Sequence, residues 1–179
     1  MLHSPFKIRE ATLADVPALA DLHVRTFNET HGILPRRPTY RTRKFQWEHM
    51  FHKKPGSWFC FVIENEDKEL IGFAKGMPYN REDNPDFSGE LNKIYILNQY
   101  QKLGLGSLLV GHVAKKFLEL GTSSMLLFGE ASNPANDFYE ALGAEKLLAK
   151  NGDFNGSYGW RDLNKLVAEC EIWEKKYEI

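Results

Sequence analysis

The sequence predicts a mixed α/β fold, a sheet of six or seven strands with helices on both faces. Three observations lead there. Strand-like and helix-like runs follow one another through the 179 residues in the order β, helix, helix, ββ, long β, helix, β, helix, ββ. Residues 105–120 carry Leu105, Leu108, Leu109, Val113, Phe117 and Leu120 at the spacing of one buried helix face. That helix follows an apolar run ending near Leu97, across a polar turn and the glycines Gly104 and Gly106. A glycine turn opening a helix presents free backbone N–H groups at the positive end of the helix dipole, which suits an anion such as phosphate.

The elements come in order as follows. Residues 6–9 form a short first strand, and residues 12–29 a helix with Val16, Leu19, Ala20, Val24 and Phe27 on one face. Thr12 and Asp15 have capping-box spacing, while Pro17 favours Asp15 as the cap because proline fits only the first turn. A loop with Pro35 and Pro38 covers 30–38, and a second helix spans 39–52 with Phe45, Trp47, Met50 and Phe51 as packing residues. Residues 58–63 and 70–75 make a hairpin around a polar loop, 77–85 are rich in turn residues, and 87–97 form the longest strand. Gly121 stops the glycine-loop helix, and 124–128 form a short strand. Asn133 caps another helix with Pro134 in its first turn, Phe138 and Leu142 on its apolar face, and Gly143 at its end. Strands at 145–149 and 157–167 close the chain as a hairpin, followed by a polar tail with Trp173 and Tyr177.

Composition narrows the function. Hydrophobic residues at 42%, charged residues at 26% and a net charge of −1 describe a globular domain without the basic bias of a nucleic-acid or membrane-surface binder. Residues 1–7 lack a signal-peptide core and no apolar run approaches the roughly 18 residues of a membrane span, so a single cytoplasmic domain over 1–179 is expected. Cys60 and Cys170 lack metal-ligand spacing and read as reduced thiols. His49 and His52 stand at i and i+3 without an acid or cysteine to complete a ligand set, and no metal is expected. Residues 36–54 hold seven Lys/Arg against the single acid Glu48. That run reads as a solvated helix surface or as a rim favouring an acidic acceptor or phosphates.

The glycine loop admits several phosphate readings. A Walker loop has no match, and a dinucleotide fingerprint would need glycine at Leu109. A helix start that binds nothing also fits the glycines alone. The run Gln101-Lys102-Leu103-Gly104-Leu105-Gly106 instead fits Gln/Arg-x-x-Gly-x-Gly/Ala, and the run from Asn133 through Phe138 and Tyr139 to Gly143 and Ala144 resembles Asn-x-x-Ala-x-x-Phe-Tyr-x-x-x-Gly-Phe, with one residue fewer between Asn133 and Phe138. With the closing hairpin around Tyr158-Gly159-Trp160, these resemble the GNAT family of acyl-CoA-dependent N-acetyltransferases over about 6–167. Asn136 stands where the family has alanine and Ala144 where it has phenylalanine, both as packing variations.

The resemblance implies the GNAT fold, with a mostly antiparallel sheet, and acetyl-CoA as cosubstrate without a metal. It implies that the strand carrying Ile94, Tyr95, Ile96 and Leu97 splays from its neighbour and pairs with the pantetheine amides. The pyrophosphate then lies on the N–H groups of Gln101, Lys102, Leu103, Gly104, Leu105, Gly106 and Ser107, where glycine lets the backbone approach closely. Lys102 adds a charge and Asn133 a contact to the pantetheine arm, or serve only as a surface lysine and a helix cap. The oxyanion donor is expected at the N–H of Ile96 or Leu97. Tyr139 is the expected acid for the leaving thiolate, since phenol and thiol pKa values lie within about two units. Glu90 is the expected base for an ammonium of pKa near 10, with Tyr95, Glu130 or a water chain as alternatives. The acceptor is a small-molecule amine or a peptide N-terminus, and the closing hairpin is a candidate homodimer contact. A non-catalytic acyl-CoA-binding module would need the same loop without the acid and base.

Overall fold

The computed structural model describes residues 4–32 and 35–178. Two positions of the loop expected at 30–38, residues 33 and 34, lie outside the described residues, as do residues 1–3. Seven strands form one sheet: β1 (Lys7–Glu10), β2 (Phe59–Glu64), β3 (Leu70–Pro78), β4 (Gly89–Ile96), β5 (Met125–Leu127), β6 (Glu145–Leu148) and β7 (Phe154–Trp160). Their spatial order is β1-β2-β3-β4-β5-β7-β6. Every neighbouring pair is antiparallel except β4 and β5, which run parallel. A parallel pair needs a crossover, and helix α3 (Leu105–Glu119) supplies it.

Helices α1 (Val16–His31) and α2 (Tyr40–Phe51) cover one face, and α3 with α5 (Leu163–Tyr177) covers the other. Strand alternation decides which side chain meets which helix. On β2, Phe59 and Phe61 reach α3, with ring centroids 5.0 Å from Phe117 and 5.5 Å from His112. On β3, Phe73 points the other way, 5.2 Å from His23 of α1 and 5.4 Å from Trp47 of α2. The short helix α4 (Asn136–Ala141) lies between β5 and β6 in the chain. Asp15 stands at the N-cap position of α1 with Pro17 in the first turn but makes no side-chain cap bond there; instead it closes the capping box with Thr12 one turn earlier, where its carboxylate accepts the Thr12 N–H at 2.7 Å.

Three expectations change. The expected strand over 157–167 ends at Trp160, and α5 begins at Leu163. Asp162 caps it by accepting the N–H groups of Asn164 and Lys165, and Leu163, Leu166 and Cys170 bury its apolar face against α3. Helix α4 starts at Asn136, not at Pro134, because the Asn133 side chain accepts the Ala135 N–H at 2.9 Å and closes a separate turn first. Leu120 and Phe45, expected to pack, are 54% and 70% exposed, Leu120 having passed the last turn of α3 and Phe45 lying on the outer side of α2.

Candidate active site

Two irregularities in the sheet shape the site. Strand β4 pairs with β5 only at Gly89–Met125 and Glu90–Leu126, yet its pairing with β3 continues to Ile96. The edge of β4 from residue 91 onward is therefore without a strand partner, and β4 and β5 splay apart. The β3 register also jumps, from Lys75 opposite Lys93 to Gly76 opposite Leu91, so Asn92 is the extra residue of a bulge. The Leu97 N–H donates to the Ile71 carbonyl at 3.0 Å. Successive strand amides alternate in direction, so the N–H groups of Ile96 and Ile94 face the splay. Leu97 drops out as an oxyanion donor for the same reason, while its side chain is buried in the core.

Beyond β4 lies the glycine loop. The backbone N–H groups of Lys102, Leu103, Gly104, Leu105, Gly106 and Ser107 make no hydrogen bond among the described residues. Gln101 does not join them, because its N–H donates to Asn98 O at 3.1 Å. Its side-chain amide folds back to the Ile96 carbonyl and Asn98 Oδ1, both at 3.0 Å, so Gln101 ties the loop to the end of β4. The glycines have a packing cause beside the expected phosphate approach. Gly104 adopts φ 86°, and a Cβ there would fall inside the Trp173 ring of α5. A Cβ on Gly106 would lie 3.0 Å from Phe138 of α4. Lys102, at φ 60°, is exposed on the outer turn.

Tyr139 sits in α4, and β7 fixes that helix just beyond it. The Tyr158 hydroxyl donates to Glu140 at 2.7 Å and the Trp160 indole to the Leu142 carbonyl at 2.9 Å. Burial, with a further contribution from the Tyr95 phenol, pushes the Tyr139 pKa up to about 12. Tyr139 is thus a protonated donor throughout the neutral range, though a weaker acid than a free phenol. Glu90 lies on β4 two residues before the bulge, where the Asn92 amide donates to its Oε1 at 2.7 Å.

The chain was compared with known proteins. The model of the acetyltransferase (GNAT) family matches residues 16–144. The chain belongs to the GNAT family of acetyltransferases. The Bacillus subtilis N-acetyltransferase YuaI is 31% identical over 170 residues, covering 89% of this chain and 95% of its own. Phosphinothricin N-acetyltransferase of Streptomyces viridochromogenes is 26% identical over 181 residues, covering 98% and 90%. The PaiA N-acetyltransferase of Thermoplasma acidophilum, solved in complex with coenzyme A, superposes with a TM-score of 0.67 at 19% identity over 86% of this chain and 97% of its own. The fold of this GNAT acetyltransferase is the expected one.

The N–H groups of Ile94 and Ile96 face away from β3, and those of residues 102–107 are unbonded among the described residues. Tyr95 points to the other face, 5.6 Å from the His23 ring. Asn133 keeps its side-chain NH2 free among the described residues while its carbonyl serves the turn. Sequence reasoning missed a set of buried cations on the α1–α2 face: Arg43 of α2, Lys75 of β3 and, beside them, the partly buried Lys93 of β4. Among the described residues, no helix is long and apolar enough to cross a membrane.

Proposed function

We propose that this acetyltransferase moves the acetyl group of acetyl-CoA to a primary amine by direct attack within a ternary complex. The observation that carries the reading is the run of unbonded N–H groups at 102–107, set at the end of a strand whose edge is also unpaired. Such a run is a nest for a pyrophosphate, and an unpaired strand edge is a partner for amides. The residues present therefore fit the coenzyme, which supplies an activated thioester when bound.

The chain's own groups then have defined tasks. Residues 102–107 hold the diphosphate, with the exposed Lys102 adding charge, and residues 91–96 align the arm. The outward N–H of Ile96 or Ile94 polarises the carbonyl oxygen. Glu90 accepts a proton from the ammonium, freeing the nitrogen lone pair that forms the C–N bond. As the C–S bond breaks, Tyr139 gives its phenolic proton to the leaving sulfur, and the second proton that the nitrogen sheds on becoming an amide returns through solvent to the phenolate. Burial that weakens Tyr139 as an acid also strengthens the thiolate as a base, which keeps the pair matched.

Calorimetry with acetyl-CoA and free CoA tests the reading. The wild type should bind both, and Lys102→Glu should bind both more weakly, by roughly tenfold at low salt. Lys102 is exposed on a turn and makes no ion pair among the described residues, so its reversal leaves the fold intact. A folded wild type that binds neither coenzyme overturns the assignment.

A further inference from the structure

We propose that the cavity between α2 and the sheet is an anion subsite, in which Arg43, Lys75 and Lys93 bind a carboxylate or phosphonate carried by the amine acceptor. This deepens the acetyl-transfer reading and rests on it.

The cavity is a cleft of about 320 Å³ open to solvent past Phe45, Gln46 and His49, and His23, Trp47 and Met50 join the three cations in its wall. Arg43 and Lys75 are each only 8% exposed, and Lys93 is partly buried. None of the three forms a salt bridge among the described residues. Arg43 donates one N–H to Gln46 at 2.9 Å, and its Nε has no partner there. The same holds for both ring nitrogens of His23, which is 2% exposed, and for Trp47 Nε1. Those four atoms are sealed from solvent, and a ligand in the cavity would not touch them; the donors it would meet are the ammonium groups of Lys75 and Lys93, which are neither paired nor fully buried, together with the Arg43 guanidinium.

Among the described residues, the other Lys and Arg side chains that are not exposed, Arg9, Lys44, Lys115 and Lys116, each have an acidic partner. Arg9 is paired with Asp15 and Glu64, Lys115 with Glu174, and Arg161 with Asp86 and Glu145. The concentration of unpaired positive charge around the cavity is also felt by His23, whose pKa is lowered by burial first and by Arg43, Lys93 and Lys75 next. Glu90 is the carboxylate whose field reaches Lys75 and Lys93. An acceptor with its ammonium toward Glu90 and its acid toward the cations would be held at both ends.

The coenzyme's phosphates are not the occupant the geometry favours. Lys93 lies four residues before Leu97 on the extended chain, roughly 13 Å at 3.3 Å per residue, and the phosphate nest begins only at Lys102. Trp47 and Met50 add an apolar wall, so the acceptor combines an acidic head with an apolar body. A diamine is disfavoured, because its second ammonium would meet three like charges.

The test uses matched acceptors: L-phenylalanine, its amide and phenethylamine, with 3-aminopropylphosphonate beside 1,3-diaminopropane. Thiol release is measured for wild type, Arg43→Gln and Lys93→Gln. Calorimetry of acetyl-CoA, and separately of phenylphosphonate without coenzyme, is run on the same three proteins. The expected result is a kcat/KM at least tenfold higher for the acidic amines. In both variants KM for those acceptors should rise roughly 10- to 100-fold while acetyl-CoA affinity is unchanged. Phenylphosphonate should bind the wild type and lose affinity in the variants. Neutral amines or the diamine turned over as well as the acids would overturn the subsite, as would no turnover of acidic amines by a protein that binds acetyl-CoA. Phenylphosphonate binding unchanged in folded variants would overturn it too. Failure of acetyl-CoA to bind, with phenylphosphonate still captured through Arg43, would remove the acetyl-transfer reading and leave the anion subsite standing.

Discussion

Tyr139 is held by its surroundings and not by its own hydroxyl. Neighbours on α4 and β7 position it, no hydrogen bond to its phenol contributes to its raised pKa, and burial keeps the proton on the oxygen. Tyr139→Phe should therefore cost almost no stability, keep acetyl-CoA affinity by calorimetry, and lower kcat by about 100-fold. A variant with unchanged kcat would reassign the acid. Glu90→Gln offers a pH signature instead. Near neutral pH an alkyl ammonium needs a proton acceptor, whereas close to its own pKa of about 10 it deprotonates unaided. The loss of rate should be largest at pH 6–7 and shrink as pH rises, and a loss equal at all pH values would rule out the base. Tyr139 stands out at residue scale as a candidate because it lies in a run of identifiable residue types. The donors do not, since a backbone N–H has no residue signature. Only the Leu97 bond to Ile71 shows which amides of β4 face outward.

Among elements, the glycine loop and α3 could be read from local pattern, because apolar spacing and a left-handed turn are properties of neighbouring residues. Helix α5 had equally local signals, an Asp162 cap and Leu163, Leu166, Val167 and Cys170 at helical spacing. The apolar strand residues up to Trp160 run almost directly into them, which merges strand and helix into one run in the sequence. What no local pattern holds is the contact between α5 and the loop, where Trp173 covers Gly104 and the Tyr177 hydroxyl donates to the Leu103 carbonyl at 2.6 Å. A double-mutant cycle tests that contact. Gly104→Ala incurs both the left-handed backbone, about 1 kcal/mol, and the collision with Trp173, so it should be destabilising by about 3 kcal/mol in all. In a Trp173→Ala background the collision is gone, and the cost should fall to the backbone share. Equal costs in both backgrounds, read by urea unfolding, would show that Trp173 does not enforce the glycine.

Across the whole molecule, the cation cavity exists because three distant segments converge. Residues 36–54 read as a basic rim, but only the burial of Arg43 turns one of those charges inward, and only the β3–β4 register sets Lys75 opposite Lys93. His23 records the result, buried among them with its pKa lowered to about 2. Its contribution to stability has a definite sign. The unfolded chain takes up the proton at about pH 6.5, while the folded protein refuses it until about pH 2. The unfolded state therefore binds more protons across that window, and native stability, complete above pH 6.5, is lost as pH falls. Between pH 7 and pH 5 the loss attributable to His23 is up to about 2 kcal/mol. Urea unfolding of wild type and His23→Leu at both pH values isolates it, and the wild type should lose more stability on acidification by about that amount. Phenylphosphonate in the cavity would offset the positive field and raise the His23 pKa, so the same pH series with saturating phenylphosphonate should give a shallower slope. A wild type and variant that weaken in parallel would mean that His23 is not the group that titrates.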